Sequence, residues 1–93
     1  MADLLSAAEV QEKLVRLDGW SLEGDVIKTV KKFAGFPEAI AFVSQLVDPA
    51  EAAGHHPDIS ISYNKVTISL TTHDAGGLTQ KDFDLATIIS RLS

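Results

Sequence analysis

Two neighbouring stretches in the second half of the chain place an apolar residue at every second position. Residues 59–63 read ISISY and residues 66–70 read VTISL. A period of two in segments rich in β-branched residues is typical of half-buried strands, because alternate side chains of a strand point to opposite faces. The pattern therefore predicts a β-hairpin with one apolar face.

The register of this hairpin follows from the two residues between its strands. Asn64 and Lys65 fit a two-residue turn, in which Asn readily adopts the required backbone conformation. With that turn, each apolar residue faces an apolar residue across the hairpin. Continued outward, the same count sets His56 opposite His73, so we expect these two histidines to be neighbours at the open end.

A period of 3.6 residues predicts three helices. The first follows Ser6, which forms a capping box with Glu9, and the last follows Thr79 and runs to the C-terminus. The central helix opens at Phe36-Pro37 and has the longest apolar stripe. The members of that stripe are Phe36, Ile40, Val43, Val47 and Ala50, widened by Ala39, Phe42 and Leu46.

Pro49 interrupts the central helix. Inside a helix, proline removes a backbone hydrogen bond and clashes with the carbonyl four residues earlier, here that of Gln45. Either the helix kinks at this point, or it ends and restarts with Asp48 as N-cap and Pro49 as its first residue. Gly54 then ends the helix, as glycine commonly does.

Two further strands are predicted before the central helix, over residues 20–22 and 26–33. We interpret Trp20 as a core anchor in preference to a ligand platform. The second of these strands contains Lys28, Lys31 and Lys32. We interpret it as an edge strand protected by lysines, with an anion-binding patch as the alternative.

The predicted order is α-β-β-α-β-β-α. Short connections between consecutive strands favour a four-stranded antiparallel sheet, and three amphipathic helices can cover its apolar face. The expected fold is therefore a two-layer α+β domain whose other sheet face stays open to solvent or to a partner subunit.

Composition restricts the classes of function. The chain has 93 residues, which suits a single domain over residues 1–93, and a formal net charge of −5, which disfavours binding to a nucleic-acid backbone. It contains no cysteine, so disulfides and thiolate metal sites are excluded. Neither a signal peptide nor a membrane-spanning stretch is predicted, and we expect a cytoplasmic protein.

All three histidines lie next to the predicted hairpin, and they suit proton transfer near neutral pH. Glu51 precedes His55 by four residues and Asp74 follows His73, so either carboxylate could orient an imidazole. The alternatives are a His-His-Pro segment that serves only as a cap and turn, and a zinc site. Two adjacent histidines point differently from an extended backbone, which makes the zinc site the less favoured interpretation.

Several motifs of this chain closely resemble those of the pterin-4a-carbinolamine dehydratase family. The resemblance covers residues 20–89 and is strongest around the histidines. The matching residues are Glu51-x-x-x-His55-His56-Pro57, Tyr63-Asn64-x-Val66, Thr72-His73-Asp74-x-Gly76-Gly77-Leu78-Thr79, Asp82 and Leu85-Ala86.

The resemblance implies an enzyme that dehydrates 4a-hydroxytetrahydropterin to quinonoid dihydropterin, a recycling step after aromatic amino acid hydroxylases. Water leaves from C4a and a proton leaves from N5, so an acid and a base are needed. The resemblance further implies no metal, no organic cofactor, and assembly as a homodimer or homotetramer. The acidic charge and the lack of a long apolar stretch predict no nucleic-acid or membrane partners.

By motif position, His55, His56 and His73 correspond to the active-site histidines of the family. We hypothesise that His56 is the principal proton-transfer residue, with the other two assisting at the leaving hydroxyl. The resemblance also implies a set of residues around the pterin and behind the histidines. The pterin would be lined by Gly54, His55, His56, Thr71, Thr72, His73 and Asp74, with Glu51, Pro57 and Asp82 in supporting positions.

Two supporting carboxylates have different expected roles. Glu51 would orient an imidazole, whereas Asp82 is either a supporting residue or only a helix-start residue. Two alternative functions share the same fold: a non-catalytic dimerisation cofactor or binding protein, and another pterin-handling role, such as one in molybdopterin metabolism.

Overall fold

The computed structural model describes residues 3–92 and confirms the predicted α+β order, with the central helix divided in two. Its helices and strands are α1 (Ala7–Leu14), β1 (Trp20–Glu23), β2 (Val26–Lys32), α2 (Phe36–Gln45), α3 (Val47–Ala53), β3 (Asp58–Ser62), β4 (Lys65–Leu70) and α4 (Gln80–Leu92). A short 3-10 turn over His73–Ala75 joins β4 to α4. No helix within the described range is both long and apolar enough to cross a membrane.

The four strands form one antiparallel sheet in the order β1-β2-β4-β3. The prediction that β2 is a lysine-protected edge strand is therefore wrong, because β2 pairs on both sides. Two of its three lysines have a different explanation. Ile27 and Thr29 are buried beneath the helices, while Lys28 and Lys32 alternate with them and lie on the open sheet face. Charged residues here keep one face of a central strand in water.

The hairpin has its predicted faces but not its predicted register. The loop is Tyr63-Asn64, and Ile61 pairs with Val66. The predicted pairing of His56 with His73 is wrong, since the observed count sets Thr71 opposite His56. A shift of two residues leaves every side chain on its predicted face, so the alternation could not reveal it.

Asn64 explains the choice of loop. Its side-chain amide donates to the carbonyl of Phe33 over 2.9 Å, and its own carbonyl accepts from the Phe33 N–H over 2.8 Å. These bonds attach the hairpin tip to the end of β2. Tyr63 adopts a left-handed conformation, with φ of 53°, to complete the turn.

The central helix buries only part of the predicted apolar stripe. Ala39, Phe42, Leu46 and Ala50 are in the core, whereas the exposed fractions of Phe36, Ile40 and Val47 are 50%, 38% and 56%. A helix that is apolar on most sides does not disclose its core face by periodicity alone. The helix ends and restarts, as in the second of the two alternatives, but the break lies before Pro49: the cap is Leu46 instead of Asp48, and Pro49 is the third residue of α3 instead of the first.

Two predictions about the first third of the chain are confirmed. Ser6 and Glu9 form a capping box, in which the Glu9 carboxylate accepts the Ser6 N–H over 2.9 Å and the Ser6 hydroxyl accepts the Glu9 N–H over 3.1 Å. Trp20 is buried in the core, and its indole N–H donates to the hydroxyl of Ser90 over 2.9 Å.

Candidate active site

Two segments carry the three histidines to one end of the sheet. Gly54 ends α3 in a left-handed conformation, with φ of 61°, and so turns the chain into the His55-His56 pair that precedes β3. Because β3 and β4 are antiparallel, the start of β3 lies beside the end of β4, from which Thr72 and His73 continue.

His55 is buried and faces a buried carboxylate. Its Nε2 lies 2.5 Å from Oδ1 of Asp82, and the exposed fractions of the two side chains are 10% and 0%. Asp82 belongs to the first turn of α4, 27 positions further along the chain. The sequence left open whether Asp82 is a supporting or a helix-start residue, and its contacts serve both purposes.

The second carboxylate oxygen of Asp82 bonds to the segment that carries His73. Its Oδ2 accepts hydrogen bonds from the Thr72 hydroxyl and from the Thr79 backbone N–H, each over 2.9 Å. The hydroxyls of Thr72 and Thr79 lie 2.8 Å apart, and both residues are buried. Asp82 therefore joins the His55 segment, the Thr72 segment and the start of α4.

His56 has the same kind of partner in a different environment. Its Nε2 lies 2.5 Å from Oε2 of Glu51, which is on the last turns of α3. The exposed fractions of the two side chains are 64% and 67%. Glu51 contacts His56, so its geometry is that of an orienting carboxylate at the protein surface.

His73 opens the 3-10 turn and is exposed together with Asp74. The turn is held at its base by an antiparallel bridge between Thr72 and Gly77. Beside it, the hydroxyl of Thr71 donates to the carbonyl of Asp25 over 2.7 Å. The turn thus presents His73 from a fixed base.

Not all predicted site residues have the same surroundings. Gly54, His56, His73 and Asp74 are exposed, Thr71 and Pro57 are half-buried, and His55, Thr72 and Asp82 are buried. Sequence reasoning assigned Thr79 and Asp82 to the helix start from their Thr-x-x-Asp spacing, and the Thr79 N–H does donate to Asp82. It missed the contact between the Thr79 and Thr72 hydroxyls, for which the local spacing gives no signal.

The histidines and carboxylates of this region form separate pairs. Nowhere in residues 3–92 do three His, Cys, Asp or Glu side chains come together in a group that could hold a metal ion. Imidazoles paired with carboxylates are suited to accepting and donating protons, because the carboxylate fixes the ring and stabilises its charged form.

Comparison with known proteins gives a consistent family assignment. Residues 3–92 match the family model described as pterin 4 alpha carbinolamine dehydratase. A protein of Trichormus variabilis is 63% identical over 93 residues, covering 100% of both chains. A protein of Cyanothece sp. is 66% identical over 93 residues, covering 100% of this chain and 96% of that protein. Both are named, provisionally, as pterin-4-alpha-carbinolamine dehydratases.

Solved structures share the fold. A crystal structure of a transcriptional coactivator/pterin dehydratase from Brucella melitensis superposes with a TM-score of 0.92, at 34% identity over 97% of this chain and 98% of that chain. A pterin dehydratase-like protein described as a RuBisCO assembly factor of the alpha-carboxysome has a TM-score of 0.63 at 20% identity, covering 78% and 84% of the two chains. The second likeness concerns the fold alone.

Proposed function

Because this chain belongs to the pterin-4-alpha-carbinolamine dehydratase family, we propose that it removes water from 4a-hydroxytetrahydropterin to give quinonoid dihydropterin. The observation that carries the proposal is the convergence of the His55-His56 segment and the Thr72-His73 segment on the carboxylate of Asp82. We extend the proposal to the recycling of tetrahydrobiopterin in the cytoplasm.

The reaction needs two proton transfers at neighbouring positions of the pterin. An acid protonates the hydroxyl on C4a, which leaves as water, and a base takes the proton from N5. Three imidazoles at one end of the sheet supply both kinds of group near neutral pH. The exposed His56 and His73 can exchange protons with solvent, whereas the buried His55 is held by Asp82.

The pterin would lie against the open end of the hairpin. Gly54 and Asp74 are exposed there beside the histidines, and Gly54 has no side chain to obstruct a flat ring. Glu51 supports His56 from α3. The hypothesis that His56 is the principal proton-transfer residue stays a prediction.

A dehydratase assay tests this proposal. The 4a-hydroxypterin is generated with an aromatic amino acid hydroxylase, and its ultraviolet decay is followed with the wild type and with His55→Ala, His56→Ala and His73→Ala. General acid–base catalysis contributes typically about 10²–10⁴-fold, so each substitution at a proton-transfer residue should slow the decay by roughly that factor. Wild-type decay no faster than the uncatalysed reaction would exclude the proposal and favour the non-catalytic binding role.

We also propose that the chain forms a homodimer or homotetramer. Phe36 and Ile40 on α2 and Val47 on α3 are exposed apolar residues, and β3 is a sheet edge on which the exposed fraction of Ile59 is 38%. A second copy of the chain could pair with this edge and cover the apolar residues.

Light scattering on a size-exclusion column tests the assembly. Val47→Glu introduces a charge among these exposed apolar residues. Val15→Glu is the matched control, because Val15 is an exposed valine at the C-terminal end of α1. We expect an oligomeric wild type, a monomeric Val47→Glu and an unchanged control. A monomeric wild type at tens of micromolar would contradict the proposal.

A further inference from the structure

The proton positions around Asp82 follow from its contacts and deepen the proposed function, on which this inference rests. We infer that Asp82, Thr72 and Thr79 form a positioning unit that holds the neutral His55 ring with its proton on Nε2. The bare nitrogen of that ring is then Nδ1, which accepts a proton from the pterin. This differs from the sequence-based hypothesis, in which His55 assists only at the leaving hydroxyl.

The carboxylate of Asp82 acts as a hydrogen-bond acceptor. Its Oδ2 accepts the backbone N–H of Thr79, a group that can only donate, and also accepts the Thr72 hydroxyl. The carboxylate lies in the first turn of α4, where the N–H groups of the helix favour negative charge. In each of these contacts the fully buried carboxylate is therefore the hydrogen-bond acceptor.

The hydroxyls of Thr72 and Thr79 both donate in the direction of Asp82. Since the ionised carboxylate has no proton to give, the Thr72 hydroxyl donates to Asp82. That hydroxyl has only one proton, so the contact of 2.8 Å between the two threonines requires Thr79 to donate to Thr72. Each proton in the unit thereby points toward the carboxylate.

The contact with Asp82 also sets which ring nitrogen of His55 carries the proton. Oδ1 of Asp82 lies 2.5 Å from Nε2 of His55 and offers only lone pairs, so Nε2 must donate. A neutral imidazole carries one proton, which leaves Nδ1 as the acceptor. When Nδ1 takes a second proton, the buried anion stabilises the resulting cation, the role that an orienting carboxylate has beside a general base.

The unit predicts an unusual result for Asp82→Asn. The amide has one oxygen and one NH₂ group, and the side chain must place them at two different positions. Thr79 N–H and Thr72 O–H both require an acceptor at the position of Oδ2, so the amide oxygen occupies it. The NH₂ group then faces Nε2 of His55, which must accept, and the ring proton moves to Nδ1.

The matched control is Asp84→Asn. Asp84 is on the same helix two residues later, is exposed, and accepts a hydrogen bond from Gln80 over 2.8 Å. It makes the same chemical change without touching the positioning unit. Both variants keep the size and shape of the side chain, so circular dichroism and thermal unfolding can verify that each is folded.

The inference is tested by NMR on protein labelled with ¹⁵N-histidine, in spectra that correlate the ring nitrogens with the carbon-bound ring protons. The spectra are recorded at a pH above the ordinary histidine range, where neutral rings dominate. We expect the His55 proton on Nε2 in the wild type and in Asp84→Asn, and on Nδ1 in Asp82→Asn. A wild-type His55 with its proton on Nδ1 overturns the inference even if Asp82→Asn fails to fold, and so does an Asp82→Asn ring that matches the wild type. The tautomer is read without substrate, so an inactive wild type would refute the proposed function and leave this result standing.

Discussion

The buried pair of His55 with Asp82 and the exposed pair of His56 with Glu51 are alike in geometry and opposite in environment. In each, an imidazole Nε2 lies 2.5 Å from a carboxylate oxygen. The exposed fractions of the side chains are 10% and 0% in the first pair and 64% and 67% in the second. The adjacent residues His55 and His56 are thus each paired with a carboxylate, which comes from α4 for His55 and from α3 for His56.

This difference separates a fixed imidazole from an adjustable one. Water can replace either partner of the exposed pair, and salt screens its attraction, so such a pair holds its geometry weakly. The buried pair has no such replacement, because Asp82 is also bonded to Thr72 and Thr79. A dehydration that needs one proton acceptor in a set position and one proton donor in contact with solvent could use both environments.

The largest contrast is expected in stability. Asp82→Ala leaves the Thr79 N–H and Thr72 hydroxyl without their acceptor and His55 without its partner, so we expect the free energy of unfolding to fall by about 3 kcal/mol. Glu51→Ala removes the exposed carboxylate and should cost no more than about 0.5 kcal/mol. Urea unfolding at pH 7 measures both, and equal losses would contradict the contrast.

A smaller effect is expected from the hydroxyl chain. Thr72→Val keeps the shape of the side chain but removes a donor to Asp82 and the acceptor for Thr79, which should lower the free energy of unfolding by about 1–2 kcal/mol. Thr71→Val is the control, since the Thr71 hydroxyl bonds near the surface to the carbonyl of Asp25. If Thr71→Val lowered the free energy of unfolding as much as Thr72→Val, the burial of the hydroxyl chain would not be the reason for the loss.

The smallest effect concerns a second carboxylate with the same local role. Glu9, like Asp82, accepts the backbone N–H of the residue three positions earlier, but it is exposed. The hydrogen bond from the Ser6 N–H is the main reason that the pKa of Glu9 lies below its usual value of 4.5. The Ser6 hydroxyl and Lys13 lower the pKa further. A lowered pKa in the folded state means that ionised Glu9 stabilises the fold above the usual pKa and that this contribution is lost as pH falls below 4.5.

Comparison of wild type with Glu9→Gln isolates that contribution. Glutamine keeps an acceptor for the Ser6 N–H and removes only the charge. Wild type should be the more stable protein at pH 7, and the difference between the two should shrink as pH falls through the range below 4.5. A difference that stays constant from neutral to acid pH would contradict the charge as its source.

The sequence predicted those parts of the fold that depend on neighbouring residues. Ser6 with Glu9, Gly54 at a helix end and the apolar face of the hairpin are local patterns, and the structure confirms them. The hairpin register was not predictable in this way. A two-residue shift preserves the alternation, and the choice depends on a distant contact between Asn64 and Phe33.

In the candidate site, too, features set by neighbouring residues could be predicted and features set by distant contacts could not. His55, His56 and His73 could be named from motifs, because reactive residue types stand close together in sequence. The partner of His55 could not be assigned, since Asp82 lies 27 positions away and its spacing from Thr79 already had a local explanation at the start of α4. A contact that serves helix start and active site at once gives no separate signal in the sequence.

The most direct test of the account is the dehydration rate of Asp82→Asn beside that of Glu51→Gln, since the two variants make the same chemical change in the buried and the exposed pair. If Asp82 fixes the working tautomer of His55, Asp82→Asn should lower kcat on the order of 10²-fold or more with little change in KM. Glu51→Gln should lower kcat less than about tenfold. Equal losses, or a greater loss in Glu51→Gln, would contradict the account and give the exposed pair the decisive role.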